Sequence, residues 1–393
     1  MQPFDLTFSN TKVAFQHMSD AEVKKAKFIF SIFNFSFLVK SGPGLSTFCL
    51  KIGLPIKGII KNTVFWQFCG GETIDECDYT VNTLWKNRVG TILDYSVEGH
   101  EDEASFEVNV KEIKSTILKA KGKPQYPFCV FKPTGIASVT LLEKVDAGIK
   151  LDNDELNEFY NTKKRFETLC QVSADSDMRL FVDAELSWMQ KTVDTLVNEM
   201  MAKHNQQKAL IFNTVQLYKK DQVELMKKWI AEAREKKYFV GFKLVRGAYM
   251  EKEAERALKM GYPNPINDTK EDSDRDYNEA LKLCFDNCDI VSVCAGTHNE
   301  ESSLYLAKLM NEGEIENNDS RFWFAQLFGM SDTISFNLAA KGYNVVKYLP
   351  YGPIKSVMPY LGRRAKENSS MAGQMGRELA LLVQELKRRK SEK

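Results

Sequence analysis

The chain has 393 residues, with 54 lysines and arginines against 53 aspartates and glutamates, 43% hydrophobic residues and 11 prolines. These values exclude a disordered tail, a collagen-like fibre and a disulfide-stapled secreted scaffold, and a formal net charge of +1 supplies no basic field for wrapping nucleic acid. The length accommodates two ordinary domains or one large α/β barrel with an extra arm.

Residues 1–88 read as a helical arm. The start, MQPFDLTFSN, carries an early Asp and no basic-then-apolar targeting pattern, so a protein kept in a reducing interior is expected. The apolar run from Phe28 to Val39 is broken by Ser31, Asn34 and Ser36, and it falls short of the roughly 20 apolar residues that span a bilayer. A second apolar region, Ile52 to Cys69, contains Gly, Pro and lysines. Two readings of this arm stand: packing on the main domain, or a surface that touches lipid.

From about residue 89 short apolar runs alternate with amphipathic stretches. The runs are VGTILDYSVEG (89–99), YPFCVFKPTG (126–135), MRLFVDAEL (178–186), ALIFNTVQLY (209–218), FVGFKLVRGAY (239–249), DIVSVCAGTHN (289–299), RFWFAQLFGM (321–330) and YNVVKYLPYG (343–352). Between them, 154–170, 187–204, 220–237, 274–288, 301–312 and 330–342 read as helices, with Val223, Leu225, Met226, Trp229, Ile230 and Ala233 forming a core-facing stripe on one of them. Asp272, Ser273 and Asp274, and Ser302 with Ser303, read as helix-start signals. Apolar strands alternating with helices are what a parallel sheet requires, and eight in series predict a closed (βα)8 barrel over 89–370. The rival is an open doubly wound sheet, but neither Gly-x-Gly-x-x-Gly nor a P-loop pattern is present. Residues 371–393 read as an amphipathic C-terminal helix with a basic end.

Chemistry in such a barrel gathers at the C-terminal strand ends. Strand alternation puts Phe128, Val130 and Lys132 on one side of the second run, and Phe181 with Asp183 on one side of the third. Gln216 ends the fourth; Lys243, Val245, Gly247 and Tyr249 share a side of the fifth; Leu327 ends the seventh; Val346 and Tyr348 share a side of the eighth. After the last run, Arg363 and Glu367 stand at i and i+4 of a helix, with Arg364 about 100° around. Two neighbouring guanidiniums make either a solvated helix face or a clamp for a carboxylate. No metal site is expected, because the eight cysteines contain no Cys-x-x-Cys and the four histidines no His-Glu-x-x-His.

YLGRRAKENS resembles the Tyr-x-x-x-Arg-Arg-x-x-Glu-Asn signature of the proline dehydrogenase (proline oxidase) family, and DYSVEG, FVDAE, KLVRGAY, THNE, QLFGM and VVKYLPYGP resemble its other blocks, in family order. The resemblance implies a distorted (βα)8 barrel that binds FAD and oxidises L-proline to Δ1-pyrroline-5-carboxylate, with hydride passing to flavin N5. It implies that the last barrel helix lies over the barrel mouth. It points to Arg363 and Arg364 for the substrate carboxylate, with Lys132 adding a third positive charge and Glu367 ordering the cluster. Asp183 matches an active-site aspartate that organises Lys132; Tyr249, Leu327 and Tyr348 match the walls around the substrate ring; Glu98 matches a gate that pairs with Arg363. Gln216, Lys243, Arg246, Gly247, Ala248, Thr297 and His298 match flavin-binding positions.

One departure concerns the fifth run. Many members read Arg-Leu-Val-Lys-Gly-Ala-Tyr where this chain has KLVRGAY, so the expected roles are Lys243 near flavin N5 and Arg246 near the phosphates. The implied partners are a membrane quinone as electron acceptor, a separate pyrroline-5-carboxylate dehydrogenase downstream, and no nucleic acid. The implied location is cytoplasmic, with peripheral docking on an inner membrane, the mitochondrial one in a eukaryote. Two further readings stay open: hydroxyproline dehydrogenase, which Tyr348 argues against because a small residue there would make room for a ring hydroxyl, and a non-catalytic flavin-binding barrel.

Overall fold

The computed structural model describes residues 4–33, 55–96, 102–370 and 372–392, and its strands follow the eight apolar runs in order. They are β1 (Val89–Tyr95), β2 (Phe128–Phe131), β3 (Arg179–Val182), β4 (Ile211–Gln216), β5 (Val240–Val245), β6 (Val291–Gly296), β7 (Phe322–Leu327) and β8 (Val345–Tyr351). The sheet order is β1-β8-β7-β6-β5-β4-β3-β2, with parallel pairing wherever the register is defined. A doubly wound sheet reverses its order at a switch point, whereas here the first strand pairs with the last and the rest follow in sequence. That order and the alternating helices make a nearly closed (βα)8, TIM-like barrel.

Contacts divide the chain into two compact units, Met1–Glu98 with Gln326–Lys393, and Gly99–Ala325. The Gly99–Ala325 unit alternates its strands with helices that include Glu103–Ala120, Val139–Asp146, Asn153–Asp175, Ser187–His204, Gln222–Lys236, Met250–Met260, Lys270–Asp286 and Glu300–Glu312. The inward faces lock through aromatic rings: Phe128 stacks on Phe181 at 4.3 Å between centroids, and Phe212 and Trp323 meet Phe128 edge-on at 5.4 and 5.1 Å. Register places Val130 beside Phe181, Phe181 beside Phe212 and Thr214 beside Lys243, so one parity of each strand shares the interior.

Helix starts in this unit differ from the expected ones. Thr269 caps Lys270–Asp286 by accepting the Asp272 N–H at 3.0 Å, and Asn299 caps Glu300–Glu312 by accepting the Ser302 N–H at 3.0 Å. Asp274 and Ser302 are thereby free of capping duty and available for other contacts. The helices Glu103–Ala120 and Met250–Met260 are not apparent in the sequence, because dense charge at their exposed faces obscures the apolar stripe.

In the other unit, the helices Asp20–Phe33, Ile354–Ser370 and Ala372–Ser391 share a core that includes Val23, Ile29, Phe30, Phe65, Phe68, Val357, Leu361 and Leu382. The described parts of the apolar arm therefore bury much of their apolar surface internally, although Phe28 and Ile59 are exposed. Residues 34–54, which hold the rest of the run expected to pack or touch lipid, lie outside the described residues. No helix among the described residues is long and apolar enough to cross a membrane.

Candidate active site

In the Gly99–Ala325 unit the expected residues stand where β2 to β6 end. Lys132 follows β2 in extended conformation, half-buried, before a short turn at Pro133–Gly135. Asp183 follows β3, and its N–H donates to the Phe131 carbonyl at 3.0 Å, prolonging the ladder one step past the strands. Lys243 of β5 reaches back across β4 to Asp183, with Nζ to Oδ1 at 2.5 Å; Thr214 Oγ1 donates to the same oxygen at 3.4 Å. The ammonium also lies over the Phe181 ring, 5.3 Å from its centroid. Lys243 and Asp183 are 9% and 15% exposed at the side chain, so the pair sits at a rim rather than in a sealed core.

Gln216, the last residue of β4, is 3% exposed, and its Oε1 has no hydrogen-bond partner among the described residues. A buried amide oxygen without a donor is costly unless a bound group satisfies it, which fits a polar ligand at this strand end.

Arg246, just past β5, is held by three groups, one on the helix Lys270–Asp286, one just past β6 and one on the helix Glu300–Glu312. Its Nε donates to Asp274 Oδ1 at 2.6 Å, one terminal nitrogen to Thr297 Oγ1 at 2.7 Å and the other to Ser302 Oγ at 3.0 Å. The guanidinium stacks on Tyr277 at 4.3 Å. Thr297 is thereby joined to Arg246, and His298 follows it, half-buried. Asp274 and Ser302 look in sequence like helix-start residues; only the displaced caps reveal them as partners of Arg246. Gly247 has φ +135° and lies against Tyr218, whose ring would meet a Cβ there at 2.2 Å, so the turn that presents Ala248 and Tyr249 requires glycine. Ala248 is exposed and Tyr249 half-buried, at the start of Met250–Met260. On β6, burial pushes the Cys294 thiol up to about 12, which makes it inert.

In the other unit, Leu327 ends β7 half-buried, and Tyr348 of β8 is 8% exposed, its carbonyl accepting the Phe328 N–H at 2.9 Å. Arg363 and Arg364 occupy the helix Ile354–Ser370; Arg363 is half-buried, and Arg364 is buried with its guanidinium over the Tyr360 ring one turn earlier, 5.3 Å from the centroid. The loop after β7 is clamped from several sides. Lys347 donates to the Met330 carbonyl at 2.5 Å and the Leu327 carbonyl at 3.4 Å and pairs with Asp332 at 2.8 Å. Gln67 Nε2 donates to the Gly329 carbonyl at 2.8 Å, and Glu378 accepts the Ser331 N–H at 2.8 Å. Burial and the neighbouring Asp332 carboxylate push Glu378 up to about 7. Glu98 and the side chain of Glu367 lie outside the described residues. Among the described residues no three metal-ligating side chains converge.

A family model described as proline dehydrogenase matches residues 77–377. The chain is 33% identical over 347 residues to the carbapenem antibiotics biosynthesis protein CarD of Pectobacterium carotovorum, covering 88% of this chain and 90% of that one. It is 30% identical over 388 residues to the mitochondrial proline dehydrogenase 1 of Dictyostelium discoideum, covering 86% of this chain and 67% of the relative. Among solved structures, proline utilization A of Bdellovibrio bacteriovorus, inactivated by N-propargylglycine, superposes with a TM-score of 0.74 at 19% identity, over 96% of this chain and 41% of that chain. The chain thus spans less than half of that solved protein, and at such identity the likeness concerns the fold alone.

Proposed function

The chain belongs to the proline dehydrogenase family of oxidoreductases, and from that premise we propose that it oxidises L-proline to Δ1-pyrroline-5-carboxylate with FAD as cofactor and a quinone as the final electron acceptor. The observation that carries this reading is the span of the family match, 77–377, which takes in every strand-end residue of the barrel and both arginines of the last barrel helix.

Each residue then has a task. Arg363 and Arg364 hold the substrate carboxylate, two guanidiniums offsetting the cost of taking that charge out of water. Lys132 adds a third positive charge, Glu367 orders the arginines, and Glu98 pairs with Arg363 as a gate. Asp183 keeps the lysines at the rim in place, a role supported by its 2.5 Å contact with Lys243. Tyr249, Leu327 and Tyr348 wall the substrate ring and keep water out. Proline loses a hydride from the ring carbon beside nitrogen and a proton from the nitrogen, leaving the imine.

Gln216 Oε1, without a partner among the described residues, the glycine turn at Gly247 and the Arg246 and Thr297 pair fit a flavin at the β4, β5 and β6 ends. Bound there, FAD supplies the two-electron acceptor for the hydride. Gln216, Lys243, Arg246, Gly247, Ala248, Thr297 and His298 would hold and orient it. The product goes to a separate pyrroline-5-carboxylate dehydrogenase. Electron delivery to a quinone places the protein at an inner membrane by peripheral contact.

Substrate choice tests this reading against the hydroxyproline alternative. The protein should turn over L-proline with a kcat/KM at least about 10-fold above that for trans-4-hydroxy-L-proline, the discrimination expected where a wall residue crowds a hydroxyl. Tyr348→Ser should narrow that ratio. Equal or greater efficiency on hydroxyproline in the unmodified protein would replace the proposed substrate.

A further inference from the structure

We propose that Glu185 is a positioning residue that fixes the placement of Lys132 and Asp183 relative to each other by binding Thr134. The inference rests on the assignment of Lys132 and Asp183 to the substrate site above. Glu185 lies two residues past Asp183, and Thr134 two residues past Lys132, so each stands on the strand-end turn that carries one of those side chains.

Glu185 is 4% exposed, and its Oε1 accepts from Thr134 Oγ1 at 2.7 Å and from the Thr134 N–H at 3.3 Å. The ladder between β2 and β3 runs one step beyond the strands, to the Asp183 N–H on the Phe131 carbonyl at 3.0 Å. After that step the two chains diverge into turns, and the carboxylate link is the next tie between them. A carboxylate buried to this degree persists only where hydrogen bonds replace its hydration, so its geometry is fixed rather than adaptable.

Glu185 is in turn anchored to the body of the unit. Its own N–H donates to Gln190 Oε1 at 2.6 Å, Gln190 Nε2 donates to Asp194 Oδ1 at 2.8 Å, and Asn213 Nδ2 of β4 donates to that same oxygen at 2.9 Å. Gln190 and Asp194 belong to Ser187–His204, so the chain of bonds runs from the turn after β2, through the turn after β3, into a barrel helix and back to β4. On the far side of the first turn, Asn109 Nδ2 donates to the Gly135 carbonyl at 2.7 Å. The turn bearing Lys132 is therefore held from two sides, and Glu185 is the side that refers it to Asp183. Loss of this tie leaves both groups present but out of register with a bound carboxylate, which weakens binding without altering chemistry.

The experiment measures, on flavin-loaded full-length protein, calorimetric binding of a five-membered-ring carboxylate that lacks the ring nitrogen and cannot be oxidised, together with proline KM and kcat. Thr134→Val removes the hydroxyl while keeping the side-chain shape; Glu185→Gln removes the charge. Each should weaken carboxylate binding and raise proline KM about 10-fold, the effect of one charge-assisted hydrogen bond, with kcat within about 2-fold. Thr134→Ser should restore both values, and the double variant should be no worse than either single one. Should Glu185→Gln fail to fold, Thr134→Val decides alone. Unchanged binding in these variants, with Lys132→Ala weakening it, overturns the positioning role and leaves the site assignment intact. Unchanged binding in Lys132→Ala overturns the assignment itself.

Discussion

Two lysines interrupt apolar strand runs in nearly the same setting, Lys243 in FKLV and Lys347 in VKYL, yet the molecule uses them differently. Lys347 is sealed, its side chain 0% exposed, and its three N–H donors meet two carbonyls and the Asp332 carboxylate. Lys243 sits at a strand-end rim with Asp183, both partly open to solvent, and on the adjacent strand Gln216 has a buried amide oxygen that lacks a donor among the described residues. A buried ammonium whose donors are all taken by the protein holds structure. One kept at an open rim is suited to a ligand.

Removing the lysines should separate the two roles. Lys347→Met leaves the half-buried Asp332 without this cation and two loop carbonyls without this donor, and should lower stability by about 3 to 5 kcal/mol in chemical denaturation, while sparing kcat/KM per folded molecule. Lys243→Met should cost less stability, on the order of 1 to 3 kcal/mol, and lower kcat/KM on proline by roughly 100-fold. Equal effects from both substitutions would erase the distinction.

Glu378, on the helix that helps clamp the Lys347 loop, sharpens the structural half of the contrast. Its folded pKa is about 7 against an ordinary 4.5, so the folded protein holds a proton that the unfolded chain has released between those values. Stability is therefore highest below pH 4.5 for this group and falls by roughly 3 kcal/mol as pH rises to 7. Glu378→Gln should flatten that part of the pH profile; a slope unchanged by the substitution would show that another group carries it.

A smaller effect tests the ligand half. Arg246→Ala loosens Thr297 as well as removing a charge and should weaken FAD retention about 10-fold, as measured by equilibrium dialysis of the flavin. Lys243→Ala should retain flavin but shift its reduction potential. If the two variants exchange these phenotypes, the assignment of Lys243 to N5 and Arg246 to the phosphates is reversed.

The barrel was legible because eight buried strands must be apolar on both faces, and that leaves eight unmistakable runs in the sequence. Alternation along β5 also separated Lys243 from Arg246, and the structure puts them with different partners, Asp183 for one and Asp274, Thr297 and Ser302 for the other. What the sequence hides is pairing over distance. Asp274 and Ser302 carry the local signature of helix caps, and nothing within a few residues tells that Thr269 and Asn299 do that work. Glu185 and Thr134 are 51 residues apart, and their bond exists only because β2 and β3 are neighbours.

The proposed reaction requires that L-proline pass electrons to the bound flavin. Anaerobic titration of the purified flavin-loaded protein with L-proline, followed at the flavin absorption band, tests it directly. The band should bleach on adding proline and return on adding a quinone analogue. A flavin that stays oxidised at saturating proline would contradict it.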